Sequence, residues 1–192
     1  VVLAVAAVAC ALVGLSRGWR PDARRLVTGG AVASGLLAMV APLASADVLM
    51  YAVYGRLAQL GLDPYANTAR TLIDRADPIG LAAERPWLDT TSVYGPLATL
   101  VQELSVRLGG GTMHGAVLWL VLVNAFAFVG AGALLVRLAG PDPARRARAA
   151  VLWVANPLLL YVLVAGAHLD AQAIALAVLA LALLPRRALL AG

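Results

Sequence analysis

The sequence predicts an all-α membrane protein: a polytopic helical chain with about five spans and a long outer loop that carries short interfacial helices. Composition is the first ground for this. Of 192 residues, 62% are hydrophobic and 13% are charged, and the mean hydropathy is +0.87. A soluble domain is nearer half apolar and a quarter charged, and it cannot bury so much apolar side chain. Second, uncharged apolar runs close to the ~20 residues needed to cross a bilayer recur along the chain. Third, the charges between those runs are sorted by sign, which orients them.

Val1–Ser16 reads as the remainder of a cut span, because the chain begins without Met and already inside an apolar run. The whole is therefore expected to be a fragment of a larger polytopic protein, with 1–192 forming a single membrane domain. Arg17, Arg20, Arg24 and Arg25 follow this run instead of preceding it, and no small-residue cleavage site closes it. A cleavable signal peptide has the opposite order. Leu26–Ala46 is a span without charge. Gly115–Val136 is a second, with Asn124 as its strongly polar side chain. Ala149–Ala167 is a third and carries Asn156-Pro157. Ala171–Leu184 is shorter and runs on past Pro185.

All fifteen basic residues are Arg. The segments Arg17–Arg25, Arg137–Arg148 and Arg186–Arg187 hold ten of them but only two of the ten acids, Asp22 and Asp142. Positive-inside sorting places these loops in the cytoplasm. The segment 47–114 holds five Arg and seven acids and belongs outside, as does His168–Asp170. The formal charge of +5 thus follows from membrane topology and gives no ground for a nucleic-acid partner. Cys10, alone in an apolar run, provides neither an intramolecular disulfide nor a metal cluster.

Within the outer segment, Asp47–Leu60 reads as a helix closed by Gly61. Leu62-Asp63-Pro64-Tyr65 is a turn, since a residue before proline avoids the helical region. Thr71–Arg85 is partly helical and interrupted at Pro78-Ile79-Gly80. Arg85-Pro86-Trp87 opens an extended stretch ending at Tyr94-Gly95-Pro96. Gly95–Leu108 is apolar, but a full crossing there would carry Arg145, Arg146 and Arg148 to the outer face. Gln102, Glu103 and Arg107 are also costly in hydrocarbon. It is expected to lie in the outer interface, with Leu97, Leu100, Val101, Leu104 and Leu108 forming one buried face.

Asp47 stands at the seam between a span and the polar outer loop. By residue type it serves equally as a helix N-cap after Ser45-Ala46 or as a carboxylate within reach of both a lipid-borne and a water-borne molecule. Tyr51 and Tyr54, at i+4 and i+7, share its helical face. That gives one carboxylate and two hydroxyl-bearing rings, a set suited to a sugar and to general base chemistry. Gly61-Leu62-Asp63-Pro64-Tyr65 and Ser92-Val93-Tyr94-Gly95-Pro96-Leu97 are local turn signals when taken singly. Asn156-Pro157 reads as a kink whose freed carbonyl is satisfied by a neighbour. His168 and Asp170 stand at an outer helix end, where Asp170 caps the helix or the pair hydrogen-bonds a phosphate or sugar. One His–Asp pair, His114 and Cys10 do not make a metal motif.

Taken in order, Asp47-Val48, Tyr51, Gly55-Arg56, Gly61-Leu62-Asp63-Pro64-Tyr65, Trp87, Tyr94-Gly95-Pro96-Leu97, Trp153, Asn156-Pro157-Leu158 and Ala167-His168-Leu169-Asp170-Ala171 resemble the membrane-embedded GT-C glycosyltransferases. The likeness is greatest to the polyprenol-phosphate-mannose-dependent α-(1→6)-mannosyltransferases. It runs from about Leu26 to the end and implies the N-terminal part of a GT-C-like fold. It implies transfer of a hexose, expected to be mannose, from a polyprenyl-phosphate donor to a hydroxyl of a lipid-linked glycan at the outer membrane face, with inversion. Asp47 would be the general base. Tyr51, Tyr54, Arg56, Tyr65, Tyr94, His168 and Asp170 would line the substrates, with Arg56 or His168 offsetting the charge of the phosphate. The family signature Gly-His-Asn-Asp-Ala is matched with Ala167 in place of Gly and Leu169 in place of Asn. No cofactor is expected, and a divalent metal is left open. The expected location is the cell membrane, multi-pass, with the site facing the exterior. Two other readings stand beside this one: a polytopic transporter or lipid flippase, and an inactive fragment of a glycosyltransferase.

Overall fold

The computed structural model describes residues 1–40 and 45–184, and every regular element among them is helical. In chain order these are α1 (Val2–Ser16), α2 (Ala23–Ala38), α3 (Asp47–Gln59), α4 (Ala69–Ile73), α5 (Pro78–Leu81), α6 (Pro96–Leu108), α7 (Met113–Leu138), α8 (Pro143–Leu152), α9 (Pro157–Leu159) and α10 (Asp170–Leu183). Residues 41–44, the end of the predicted first full span, lie outside the described residues, as do Pro185 and the Arg186–Arg187 pair. The chain divides into two units. One is built from Val1–Leu37, Asn124–Ala165 and the chain from Leu169 on. The other is Ala38–Val123 with Gly166–His168.

The membrane class rests on two helices. Met113–Leu138 and the helix Pro143–Ala165, broken at Asn156-Pro157, are long and apolar enough to cross a bilayer, yet only 39% and 33% of their most apolar windows are buried. A core helix of a soluble protein would be covered. These turn most of their apolar surface outward, which is stable only against lipid or further helices. The expectation of about five spans is not matched among the described residues. The apolar helices α1 and α10 have 15 and 14 residues, and α2 has 16, each short of the ~20 needed.

In the first unit, Leu15 of α1 packs with Ala147 and Val151 of α8, flanked by Ala11, Leu12 and Leu26. The predicted break at Asn156-Pro157 has a full local explanation. Pro157 brings no N–H to the helix, so α8 ends at Leu152. Asn156 then repairs both sides of the gap. Its Nδ2 donates to the Leu152 carbonyl (3.1 Å) and its Oδ1 accepts from the backbone N–H groups of Leu158 (3.0 Å) and Leu159 (3.4 Å). The chain resumes with π-helical spacing over Leu160–Ala165, and the side-chain amide of Asn124 in α7 donates to the Leu163 carbonyl. Gly30 and Gly132 admit this bend, since a Cβ at either would run into Val154. Trp153 stacks on Phe128 with ring centroids 5.3 Å apart and donates its indole N–H to the Phe128 carbonyl at 2.8 Å.

In the second unit α3 is buried on nearly every side, with Val48, Met50, Tyr51, Ala52, Val53, Tyr54 and Leu57 covered. Gly55 is what lets α6 approach it, because a Cβ there would collide with the Gln102 backbone. α6 corrects the sequence reading of its faces. Gln102, Ser105 and Val106 are buried, while Leu97, Leu100, Leu104 and Leu108 are exposed. The leucine stripe exists but turns away from the protein.

Three other local expectations are corrected. Pro78-Ile79-Gly80 does not interrupt a helix; it is the helix α5, because Asp77 caps it by accepting from the Ile79 N–H (2.9 Å) and Pro78 suits the first helical position. Trp87–Asp89 is a single 3₁₀ turn, and the extended path starts only at Thr90. The Arg137–Arg148 loop shrinks to the few residues between Leu138 and Pro143, since Asp142 caps α8 and draws Arg145, Arg146 and Arg148 into that helix.

Candidate active site

α3 begins at Asp47, but Asp47 is not its cap. The N-cap position is Ala46, without a side-chain cap bond, and the Asp47 N–H is taken by Ser45 Oγ at 3.1 Å. The carboxylate is left to reach outward. Its Oδ1 accepts the indole N–H of Trp87 at 3.1 Å. Its Oδ2 faces His168 Nδ1 at 3.6 Å, an ion pair whenever His168 is protonated, with the Asp47 and His168 side chains 30% and 26% exposed. A carboxylate has about four lone-pair directions, so two contacts leave acceptor capacity on an accessible group. That is the arrangement a general base needs: oriented, partly desolvated and open to an incoming hydroxyl.

His168 enters from a short connection whose preceding residue, Ala167, has φ +52° and is buried. This is the position where the signature of the resembled GT-C enzymes would set Gly. A left-handed backbone is open to Gly and strained for Ala, so the chain keeps the turn that presents His168 while carrying the less suited residue. Leu169, where the signature has Asn, is buried and presents no amide. Asp170 is exposed in the first turn of α10; it belongs to the other unit and makes no capping bond.

The predicted tyrosines gather beside the carboxylate. Tyr51 and Tyr54 are buried on α3. Tyr94 meets Tyr51 edge to face with centroids 5.2 Å apart, and lies 6.3 Å from Tyr54. Tyr54 Oη donates to the Thr90 carbonyl at 3.2 Å. Its ionisation is pushed up to about 12, first by burial and then by Tyr94 and the Asp47 charge, so it stays a neutral donor. Tyr65 stands apart from the cluster, 45% exposed, with its hydroxyl 3.0 Å from Thr99 Oγ1 on α6.

Arg56 is engaged elsewhere. Its Nε and Nη2 meet Asp77 Oδ2 at 2.9 and 2.8 Å, and Nη1 donates to Gln59 Oε1 at 2.7 Å. Asp77 is 8% exposed, Arg56 22%. The pair ties the capping residue of α5 to α3.

Two partners had no assigned role in the sequence reading. Trp87 appeared there only as a motif position, and the single signal for it was an aromatic residue in a polar stretch. Asp77, 21 residues from Arg56, had no local signal. Among the described residues, no group of three or more potential metal ligands converges.

An all-helical, membrane-class chain with an accessible carboxylate–imidazole pair at the start of a helix is thus the class defined by fold and site. The chain belongs to the MptA/MptB family: the family model described as alpha-(1->6)-mannopyranosyltransferase, N-terminal domain, matches residues 1–192. It is similar to alpha-(1->6)-mannopyranosyltransferase A of Corynebacterium glutamicum, 28% identical over 81% of this chain and 31% of that protein. A probable alpha-(1->6)-mannopyranosyltransferase of Mycolicibacterium smegmatis is 34% identical over 70% of this chain and 24% of its own length. An alpha-(1->6)-mannopyranosyltransferase of Mycobacterium tuberculosis is 32% identical over 70% and 23%. The chain therefore spans about a quarter to a third of the curated relatives it matches. No solved structure matches it.

Proposed function

We propose that this chain is the acceptor-activating part of a membrane mannosyltransferase. The enzyme moves mannose from a polyprenyl-phosphate donor to a hydroxyl of a lipid-linked glycan, at the outer face of the membrane. The observation that carries the reading is the Asp47 carboxylate, held on one oxygen by Trp87 and faced on the other by His168 while staying 30% exposed. Membership of a family described as mannopyranosyltransferases supports the sugar.

In this reading Asp47 takes the proton of the acceptor hydroxyl as its oxygen attacks the anomeric carbon. The bond from that carbon to the donor phosphate breaks, and its electron pair leaves with the phosphate. The leaving group is already anionic, so a strong general acid is not required; a cation beside it suffices. His168 fills that place better than Arg56, whose guanidinium is taken up by Asp77 and Gln59. Tyr94, half-buried against Tyr51, is the ring placed to meet the sugar, with Tyr51 and Tyr54 as its backing. Inversion follows from attack on the face opposite the phosphate.

Donor class is tested in membranes containing the full-length parent protein, by following labelled mannose into a lipid-linked mannoside. Polyprenyl-phosphate-mannose is expected to support transfer in the absence of nucleotide sugar. Transfer that needs nucleotide-mannose directly, with the lipid donor inert, would overturn the reading.

A further inference from the structure

Outside the candidate site, a cavity of about 380 Å³ in the first unit is lined by Arg20, Pro21, Asp22, Ala23, Arg24, Pro141, Pro143 and Arg146. Two Arg-rich segments far apart in sequence, one after α1 and one around the start of α8, therefore converge on a single concavity. Three of its lining residues are guanidinium-bearing. Arg20 is tied down: its Nη1 donates to the carbonyls of Leu15 (2.7 Å) and Trp19 (2.9 Å). The guanidiniums of Arg24 and Arg146 have no hydrogen-bond or ion-pair partner among the described residues. The charge of Asp22, itself in the lining, is felt by Arg24, but neither Asp22 nor Asp142 bonds the Arg24 or Arg146 guanidinium. Asp22 Oδ1 accepts from the backbone N–H groups of Arg24 (2.7 Å) and Arg25 (3.2 Å), and Asp142 caps α8 and reaches Arg145 at 3.6 Å.

Positive-inside sorting explains why arginines lie at this end of the helices. It does not explain why three of them share one cavity while Arg17, Arg137 and Arg148 stay out of its lining. We propose that the cavity holds the phosphate of an anionic membrane phospholipid. Guanidinium forks match phosphate oxygens, and such charge-assisted hydrogen bonds are the strong ones. The lipid source, as opposed to a soluble anion, follows from the surroundings. The cavity lies where the apolar helices α1 and α7 end and α2 and α8 begin. Trp19, half exposed on the same loop, is a residue suited to the headgroup level. Val13 and Leu138, exposed near the ends of α1 and α7, offer apolar surface for acyl chains.

The test uses the full-length protein in a neutral detergent, with thermal unfolding and native mass spectrometry as readouts. Three proteins are compared: wild type, Arg24→Gln/Arg146→Gln, and the charge-matched control Arg17→Gln/Arg148→Gln. The first double variant leaves the bonds of Arg20 intact, so it is expected to fold. Phosphatidylglycerol, but not phosphatidylcholine, is expected to raise the unfolding temperature of wild type and control and to remain bound in the gas phase. In the cavity variant binding is expected to weaken at least about tenfold, the scale of one charge-assisted hydrogen bond. An equal phosphatidylglycerol response in both variants would reduce the effect to general surface charge and overturn the proposal. So would an equal response to inorganic phosphate, or none in wild type. None of these outcomes bears on mannosyl transfer at Asp47.

Discussion

The indole N–H of Trp87 reaches across 40 positions of sequence to Oδ1 of Asp47, 3.1 Å away. One bond thus joins the 3₁₀ turn of the loop to the first residue of α3. It fixes the carboxylate's rotation so that the other oxygen faces His168.

Trp87→Phe removes that bond and keeps an aromatic ring. A hydrogen bond to a charged group contributes about 1.5–3 kcal/mol. If it orients the base, kcat is expected to fall about tenfold or more with little change in acceptor KM. Trp87 is half exposed, so the unfolding temperature should move little. A rise in KM at constant kcat would instead make Trp87 a sugar platform.

Arg56 and Asp77 form the best-buried ion pair of the second unit. Breaking a fully buried pair costs about 3–5 kcal/mol. Arg56 keeps some solvent access, so Arg56→Gln is expected to cost about 2 kcal/mol of stability. Asp77→Asn should cost a similar amount, and the double variant less than the sum. Were Arg56 instead the counter-charge of the donor phosphate, Arg56→Gln would raise donor KM and leave unfolding unchanged.

Ala167 has a left-handed backbone, φ +52°, which costs a residue with Cβ about 1–2 kcal/mol. Ala167→Gly relieves this but loses a buried methyl, about 0.8 kcal/mol, and adds unfolded-state entropy of about 0.5–1 kcal/mol. The net change in stability is expected to be under about 1 kcal/mol, with transfer retained. Ala167→Val has no such compensation and should be destabilised by well over 1 kcal/mol, a difference that thermal unfolding of the two variants resolves.

Much of this was readable in the sequence where the signal is local. An uncharged run gave α7, and Gly61 closed α3 at a positive φ of 71°. The place of Asp47 at the head of α3 followed from the change in polarity there. The α6 leucines keep the helical period but turn away from the protein, because apolar spacing does not say which side of a helix its neighbours cover. Pro78-Ile79-Gly80 reads as a break by residue type, because Pro and Gly usually interrupt helices, whereas the Asp77 side chain turns the same residues into a capped helix. The grip of Trp87 on Asp47 and the capture of Arg56 by Asp77 are contacts between residues 40 and 21 positions apart. No periodicity or spacing encodes them.

The most direct test is labelled-mannose transfer by the full-length protein, wild type against Asp47→Asn, from polyprenyl-phosphate-mannose to a lipid-linked mannoside. The substitution keeps shape and hydrogen-bonding capacity but removes the basic oxygen. Transfer is expected to drop by a factor of about 10² or more, the contribution of a positioned general base, with membrane insertion unchanged. Transfer at the wild-type rate would remove Asp47 from the chemistry, and with it the reading of this site.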